Sequence, residues 1–193
     1  MMKRTLLPLI AAIGLLCFGS VPSAFAQNNE SITFTNIPNG HLLSYGSLTW
    51  TLSEAFLPVE YGPMDDNGYY LHLENDCLDY LYLFIEPATE SLKKLPKEEK
   101  WDDCYLYLEF FADMVDDEDE TVIWGEGLSI KEDRIVAAGY EYYYPAKNPE
   151  EKGEFMYFEY MVAGEYVIEA KAAAWDKKTR AEIIRILHSV KVK

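Results

Sequence analysis

The sequence predicts an α+β fold in which helices cover a mainly antiparallel β-sheet. Three observations carry this expectation. Long runs alternate apolar and polar residues at a period of two. Two stretches switch to recurrence at three and four. The strand-like runs are also grouped apart from the helical ones, which is the pattern of an α+β domain and not of βαβ units. With 49% hydrophobic and 15% aromatic residues, the chain has enough apolar side chain to fill a core and does not read as disordered.

The first element is a leader. Lys3 and Arg4 precede an apolar run from Leu6 to Phe18, followed by Pro22 and the small-residue pattern Ala24-Phe25-Ala26. A charged start, a short apolar core and an A-x-A site are the layout of a secretory signal peptide. The apolar run contains Pro8 and Gly14 and falls short of the ~20 residues that span a bilayer. Cleavage after Ala26 would leave residues 27–193 as one α+β domain, periplasmic or secreted. Cys17 follows Leu16, where a lipoprotein site requires a small residue, so the lipid-anchored reading is set aside.

In the mature part, Ser31 to Thr35 alternates as a strand and stops at the turn residues Asn36, Pro38, Asn39 and Gly40. Ser47 to Leu52 alternates again, and Phe56 to Tyr61 reads as a further short strand. Asp65-Asp66-Asn67-Gly68 is a turn signal before Tyr69 to Glu74, with Leu71 and Leu73 inward and His72 and Glu74 outward. Asp79 to Glu86 is apolar or aromatic on both faces and ends at Pro87.

The period then changes. Residues 88–100 are charged and helix-friendly, broken at Pro96. From Asp102, read as an N-cap, Cys104, Leu108, Phe111, Ala112 and Val115 recur at helical spacing. Carboxylates are unfavourable at a helix C-terminus, so the helix is expected to stop before Asp116. Thr121 to Ile130, Arg134 to Tyr144, Glu154 to Val162 and Glu165 to Ala172 follow as antiparallel strands. Asp176 caps a last helix from Lys177 to Ser189. Its apolar stripe is Ile183, Ile186, Leu187 and Val190, and its wet side Lys177, Lys178, Arg180 and Arg185.

The tail carries a resemblance. Gly164-Glu-Tyr-Val-Ile-Glu-Ala-Lys-Ala-Ala-Ala-Trp-Asp is a Gly-led strand and a polar cap. A helix ending Ile186-Leu-His-Ser-Val190 follows. This resembles the close of PsbP-like and DcrB-like domains, and the preceding strand and hairpin stand in the same order. The resemblance implies an αβα sandwich among mostly non-catalytic exported proteins. It carries no catalytic residue onto this chain.

The formal charge is −16, and more negative still once Lys3 and Arg4 are removed. Such a surface repels phosphates and anionic headgroups, which argues against nucleic acid and direct membrane insertion. It attracts basic proteins or divalent cations; the plain alternative is a solvated surface that keeps an exported protein soluble. Cys77 and Cys104 are an even pair in an oxidising compartment, most simply a disulfide, with two free thiols as the other reading.

No H-E-x-x-H, nucleophile elbow or phosphate-binding glycine loop occurs, so no catalytic residue, metal ligand set or cofactor is assigned. An EF-hand frame on Gly68 fails because its first position is Pro63.

What stands out is tyrosine beside acid. Tyr140, Tyr142, Tyr143, Tyr144 and Tyr157 lie in one expected hairpin, and Asp116, Asp117, Glu118, Asp119 and Glu120 form an acidic run. Together they suit capture of a basic protein partner by an assembly factor or toxin-immunity type of protein. The alternatives are rings that fill a core, and a small-molecule or divalent-cation binder of the envelope using the acidic loops at Asp65, Asp66 or 113–120.

Overall fold

The structure is a computed structural model that describes residues 31–64, 68–118, 123–124, 128–146 and 153–193. Along these the chain runs β1 (Thr33–Ile37), β2 (Gly40–Tyr45), β3 (Leu48–Leu52), β4 (Leu57–Pro63), β5 (Tyr69–Glu74) and β6 (Tyr80–Pro87). Two helices follow, α1 (Glu90–Lys94) and α2 (Lys97–Glu118). Then come β7 (Ile123–Trp124), β8 (Leu128–Lys131), β9 (Ile135–Tyr144), β10 (Glu154–Ala163), β11 (Tyr166–Ala174), α3 (Lys177–Leu187) and β12 (Lys191–Val192).

The described strands pair antiparallel in two sheets. The large one has the order β4-β5-β6-β11-β10-β9-β7, with β8 also on β9. The small one has the order β1-β2-β3-β12. An α+β fold dominated by antiparallel sheet is therefore what the sequence forms.

Because alternate strand residues point to opposite faces, the large sheet has two distinct sides. On one side Leu71 and Leu73 of β5, Leu81, Leu83 and Ile85 of β6, and Ile168 of β11 are fully buried. They pack against Leu43, Leu48, Trp50 and Leu52 of the small sheet and Ile183, Ile186 and Leu187 of α3. Burying each such side chain contributes roughly 1.5–3 kcal/mol. On the other side Val136, Ala138, Tyr142, Phe158 and Val162 meet Leu92 of α1 and Cys104 and Leu108 of α2. One face is thus covered by α1 and α2, the other by the small sheet together with α3.

Several expectations need correction. A strand, β2, follows the Asn39-Gly40 turn, where both residues have positive φ. β12, also not foreseen, closes the small sheet against β3. The stretch expected as one strand from Thr121 to Ile130 is described as two short ones, β7 and β8, both paired with β9.

Asp102 is not a cap. The Pro96 carbonyl accepts from the Lys100 N–H at 3.0 Å, so α2 begins directly after the proline, with Glu98 and Glu99 in its favourable first turn. Nor does α2 stop before Asp116; it runs to Glu118. Repulsion between an exposed carboxylate and a helix C-terminus is only about 0.3–1 kcal/mol, too little to end a helix by itself. The side chains of Phe111, Ala112 and Val115 lie outside the described residues.

Candidate interaction surface

The five tyrosines singled out in the sequence do not share one surface. Tyr140, Tyr142 and Tyr144 occupy even positions of β9 and belong to the α2 side of the sheet. Tyr143 alternates to the opposite side, and Tyr157 of β10 packs in the core beneath α3. Tyr142 and Tyr157 are only 4% and 3% exposed, so for these two the core-filling reading holds. Burial, the first cause in each case, raises the phenol pKa of Tyr140, Tyr142 and Tyr157.

Of the acidic run, Asp116, Asp117 and Glu118 are in the last turn of α2, and Asp119 and Glu120 lie outside the described residues. Asp65 and Asp66 lie outside them too. Among the described residues no group of three or more His, Cys, Asp or Glu is placed to hold a metal ion.

Cys77 and Cys104, expected as a disulfide or as two free thiols, stand as free thiols in the structure. Cys77 is exposed in the β5–β6 turn, where its N–H donates to Asn75 Oδ1 at 2.9 Å. Cys104 is buried on the inner face of α2, its thiol directed to the Val136 carbonyl at 3.8 Å. Helical spacing put Cys104 inside correctly; the turn put Cys77 outside. Burial raises the Cys104 thiol pKa to about 12.

What the pairing does bring together is a lattice of rings and carboxylates on the α2 side of the large sheet. One row across neighbouring strands is Glu60, His72, Tyr82, Lys171, Phe158 and Tyr140. The row beside it is Tyr70, Phe84, Glu169 and Tyr160, and on the other flank run Glu74, Tyr80, Ala173, Met156 and Tyr142. α2 lies against β9 and β10, so it covers one end of these rows. The β5–β6 end is half-buried: Tyr70, His72, Tyr80, Tyr82 and Phe84 keep part of their surface in solvent.

His72 stacks on Tyr82 at 4.2 Å and 19°, and Tyr80 meets Tyr82 edge-on at 5.3 Å. The fringe is anionic. Tyr70 donates to Glu60 at 2.7 Å, and Tyr107 of α2 donates to Glu169 at 2.9 Å. Lys171 pairs with Glu169 at 2.6 Å and stands over the Phe84 ring at 5.3 Å. Burial lowers the His72 pKa while Glu74 and Glu60 oppose it, and burial raises Tyr80 to about 12. Alternation along β6 puts Tyr80, Tyr82 and Phe84 on one face of the strand. Only the pairing of β6 with β11, distant in the chain, shows that this face continues into the β9–β10 tyrosines.

A second polar group lies on the opposite side, under α3, and was not foreseen. Glu141 of β9 and Glu159 of β10 are 8% and 2% exposed. Arg180 pairs with Glu141, its Nε at 2.5 Å from Oε2. Arg180 therefore leaves the wet side assigned to it. Tyr157 donates to Glu159 Oε2, and His188 Nε2 lies 3.2 Å from the same oxygen. Among the described residues Glu159 Oε1 has no partner.

Comparison with known proteins adds little chemistry. No family model matches the chain, and no curated protein matches it. A crystal structure from Bacteroides thetaiotaomicron VPI-5482 is similar over 76% of this chain at 8% identity and a TM-score of 0.43. This chain spans 45% of the length of that one.

Proposed function

We propose that the chain is an exported, non-catalytic protein-binding protein that takes a basic partner on the aromatic lattice of β5, β6 and β11. The observation that carries this reading is the row Glu60–His72–Tyr82, with Glu60 exposed, His72 and Tyr82 largely buried with part of each ring in solvent, and Glu74 and Glu169 at its borders. Partly wet rings offer large contact area at little entropic cost, and carboxylates around them favour lysine or arginine side chains over the ring faces. The net charge of −16 adds long-range attraction for the same partners. Among the described residues no helix is long and apolar enough to cross a membrane. The export reading rests on residues 1–26 of the sequence.

The αβα-sandwich reading and the PsbP-like resemblance belong to the same proposal. The succession β9, β10, β11 and α3, with Gly164 at φ 60° in the hairpin turn, supports them.

The experiment is affinity capture on the purified protein and on a Tyr82→Ala, Phe84→Ala variant, at low and high salt. A basic protein held by the wild type, released at high salt and lost with the variant is the expected result. A partner held equally by the variant, or indifferent to salt, overturns the assignment.

A further inference from the structure

α3 ends on a buried carboxylate. Arg180, in the first turn, reaches Glu141, and His188, the C-cap, reaches Glu159. Immediately beyond, Ser189 pins the chain to β3: its hydroxyl oxygen accepts from the Thr51 N–H at 2.8 Å. β12 then pairs with β3, and Arg134 donates to the carbonyls of Val192 and Lys193 at 3.3 and 2.7 Å. The segment from α3 to β12 is a strap that crosses from the large sheet to the small one.

We propose that Glu159 and His188 form a pH-sensitive latch that fastens this strap, tight while the imidazole is charged and slack once it is neutral. Glu159 is buried with one oxygen unpartnered, so its only compensation is what reaches Oε2. A buried carboxylate served by neutral donors alone is costly, and a full positive charge beside it restores the balance. The groups facing His188 are few. β10 brings Glu159 and the Tyr157 phenol; β9 brings Glu141, already paired with Arg180; β11 turns Tyr166, Ile168, Ala170 and Ala172 to this side; β3, Leu48 to Leu52, brings no titratable side chain; and α3 itself carries Arg185 in its last turn.

The hydrogen bond that His188 donates to Glu159 raises the His188 pKa above its ordinary 6.5, against the opposing effect of burial. A raised folded-state value stabilises the fold fully below 6.5, and that contribution fades as pH rises through the folded value. The latch therefore tightens in mild acid and loosens in alkali.

The test is an NMR titration of the histidine ring signals in the purified protein, with urea unfolding at pH 5.5 and 8.5. His188 should titrate above 6.5. Tyr157→Phe should move it higher, because Glu159 loses its other donor, whereas Glu159→Gln should bring it below 6.5. In urea, His188→Gln keeps a neutral donor but removes the charge. Its deficit in folding constant should be largest at pH 5.5 and shrink by pH 8.5, by about tenfold for each unit that the pKa is raised. A His188 value at or below 6.5, no upward movement in Tyr157→Phe, or a deficit equal at both pH values would overturn the latch. Tyr157→Phe leaves the carboxylate in place, so the idea stays testable if Glu159→Gln does not fold.

Discussion

Gly139 sits opposite Glu159 on the paired strand, and a methyl group there would meet the Tyr157 hydroxyl at 2.7 Å and the Phe158 carbonyl at 2.9 Å. Only a bare α-carbon lets the phenol lie across β9 and reach its carboxylate. Gly139→Ala is expected to destabilise the protein by about 1–3 kcal/mol, read as a lower urea midpoint, because the tyrosine must leave its place. The two cysteines make a second residue-level prediction. Under native conditions a thiol reagent should label Cys77 within minutes and Cys104 only on unfolding, since thiolate is the reactive form and burial suppresses it. Two slow thiols, or none before reduction, would contradict the structure. Glu141, Glu159 and Arg180 show why such sites escape sequence reading. Glu141 and Glu159 each sit between two aromatic residues, Arg180 lies on a polar stretch of helix, and what makes each carboxylate bearable is a partner 39 or 29 positions away. Alternation tells that Glu159 points inward; nothing local tells to whom.

Among the elements, α3 was the most legible. Asp176 caps it, its carboxylate accepting from the N–H groups of Lys178 and Thr179 at 2.8 and 3.0 Å, and Ile183, Ile186 and Leu187 are buried as their spacing requires, though the helix ends at Leu187 and not Ser189, and Val190 is buried beyond it. Asp176→Ala should cost about 1 kcal/mol in denaturant unfolding. The Thr179 and Lys178 hydrogen bonds hold the Asp176 pKa below its ordinary value. Its contribution is therefore complete at neutral pH and is lost as pH falls through the depressed value. α2 was legible in its face but not its ends: Cys104 and Leu108 are buried, yet the start moved to Lys97 and the end to Glu118. Termini are decided by small local energies, whereas a buried face sums many contacts. Leu108→Ala, at 2% exposure, should lose about 2–5 kcal/mol, with the cost set by how far α2 can settle onto β9. β12 could not be read at all. Two residues carry no period, and Lys191 and Val192 become a strand only because β3 offers them an edge.

For the whole molecule, the antiparallel character and the grouping of strands apart from helices followed from patterning, while β2, β12 and the division into two sheets did not. Period two reports that a strand has two faces but not which sheet receives it. The same gap hid the aromatic lattice on the α2 side. Tyr80, Tyr82 and Phe84 align with Tyr140 and Tyr142 only after β11 and β10 have been inserted between β6 and β9. At this scale, charge governs association more than stability, so raising salt should slow partner encounter while changing the unfolding midpoint comparatively little.

The small sheet adds a matter of timing. Thr51 and Ser189, which join β3 to the end of the strap, are 138 residues apart. A chain that emerges amino-terminus first has β1, β2 and β3 available long before anything can pair with the far side of β3. Closure of so long a loop comes late and slowly. Until then β3 offers a bare row of amide and carbonyl groups that a neighbouring nascent chain could adopt as its own. The hazard this architecture carries therefore falls on copies still being made, and it ends when Lys191 and Val192 arrive.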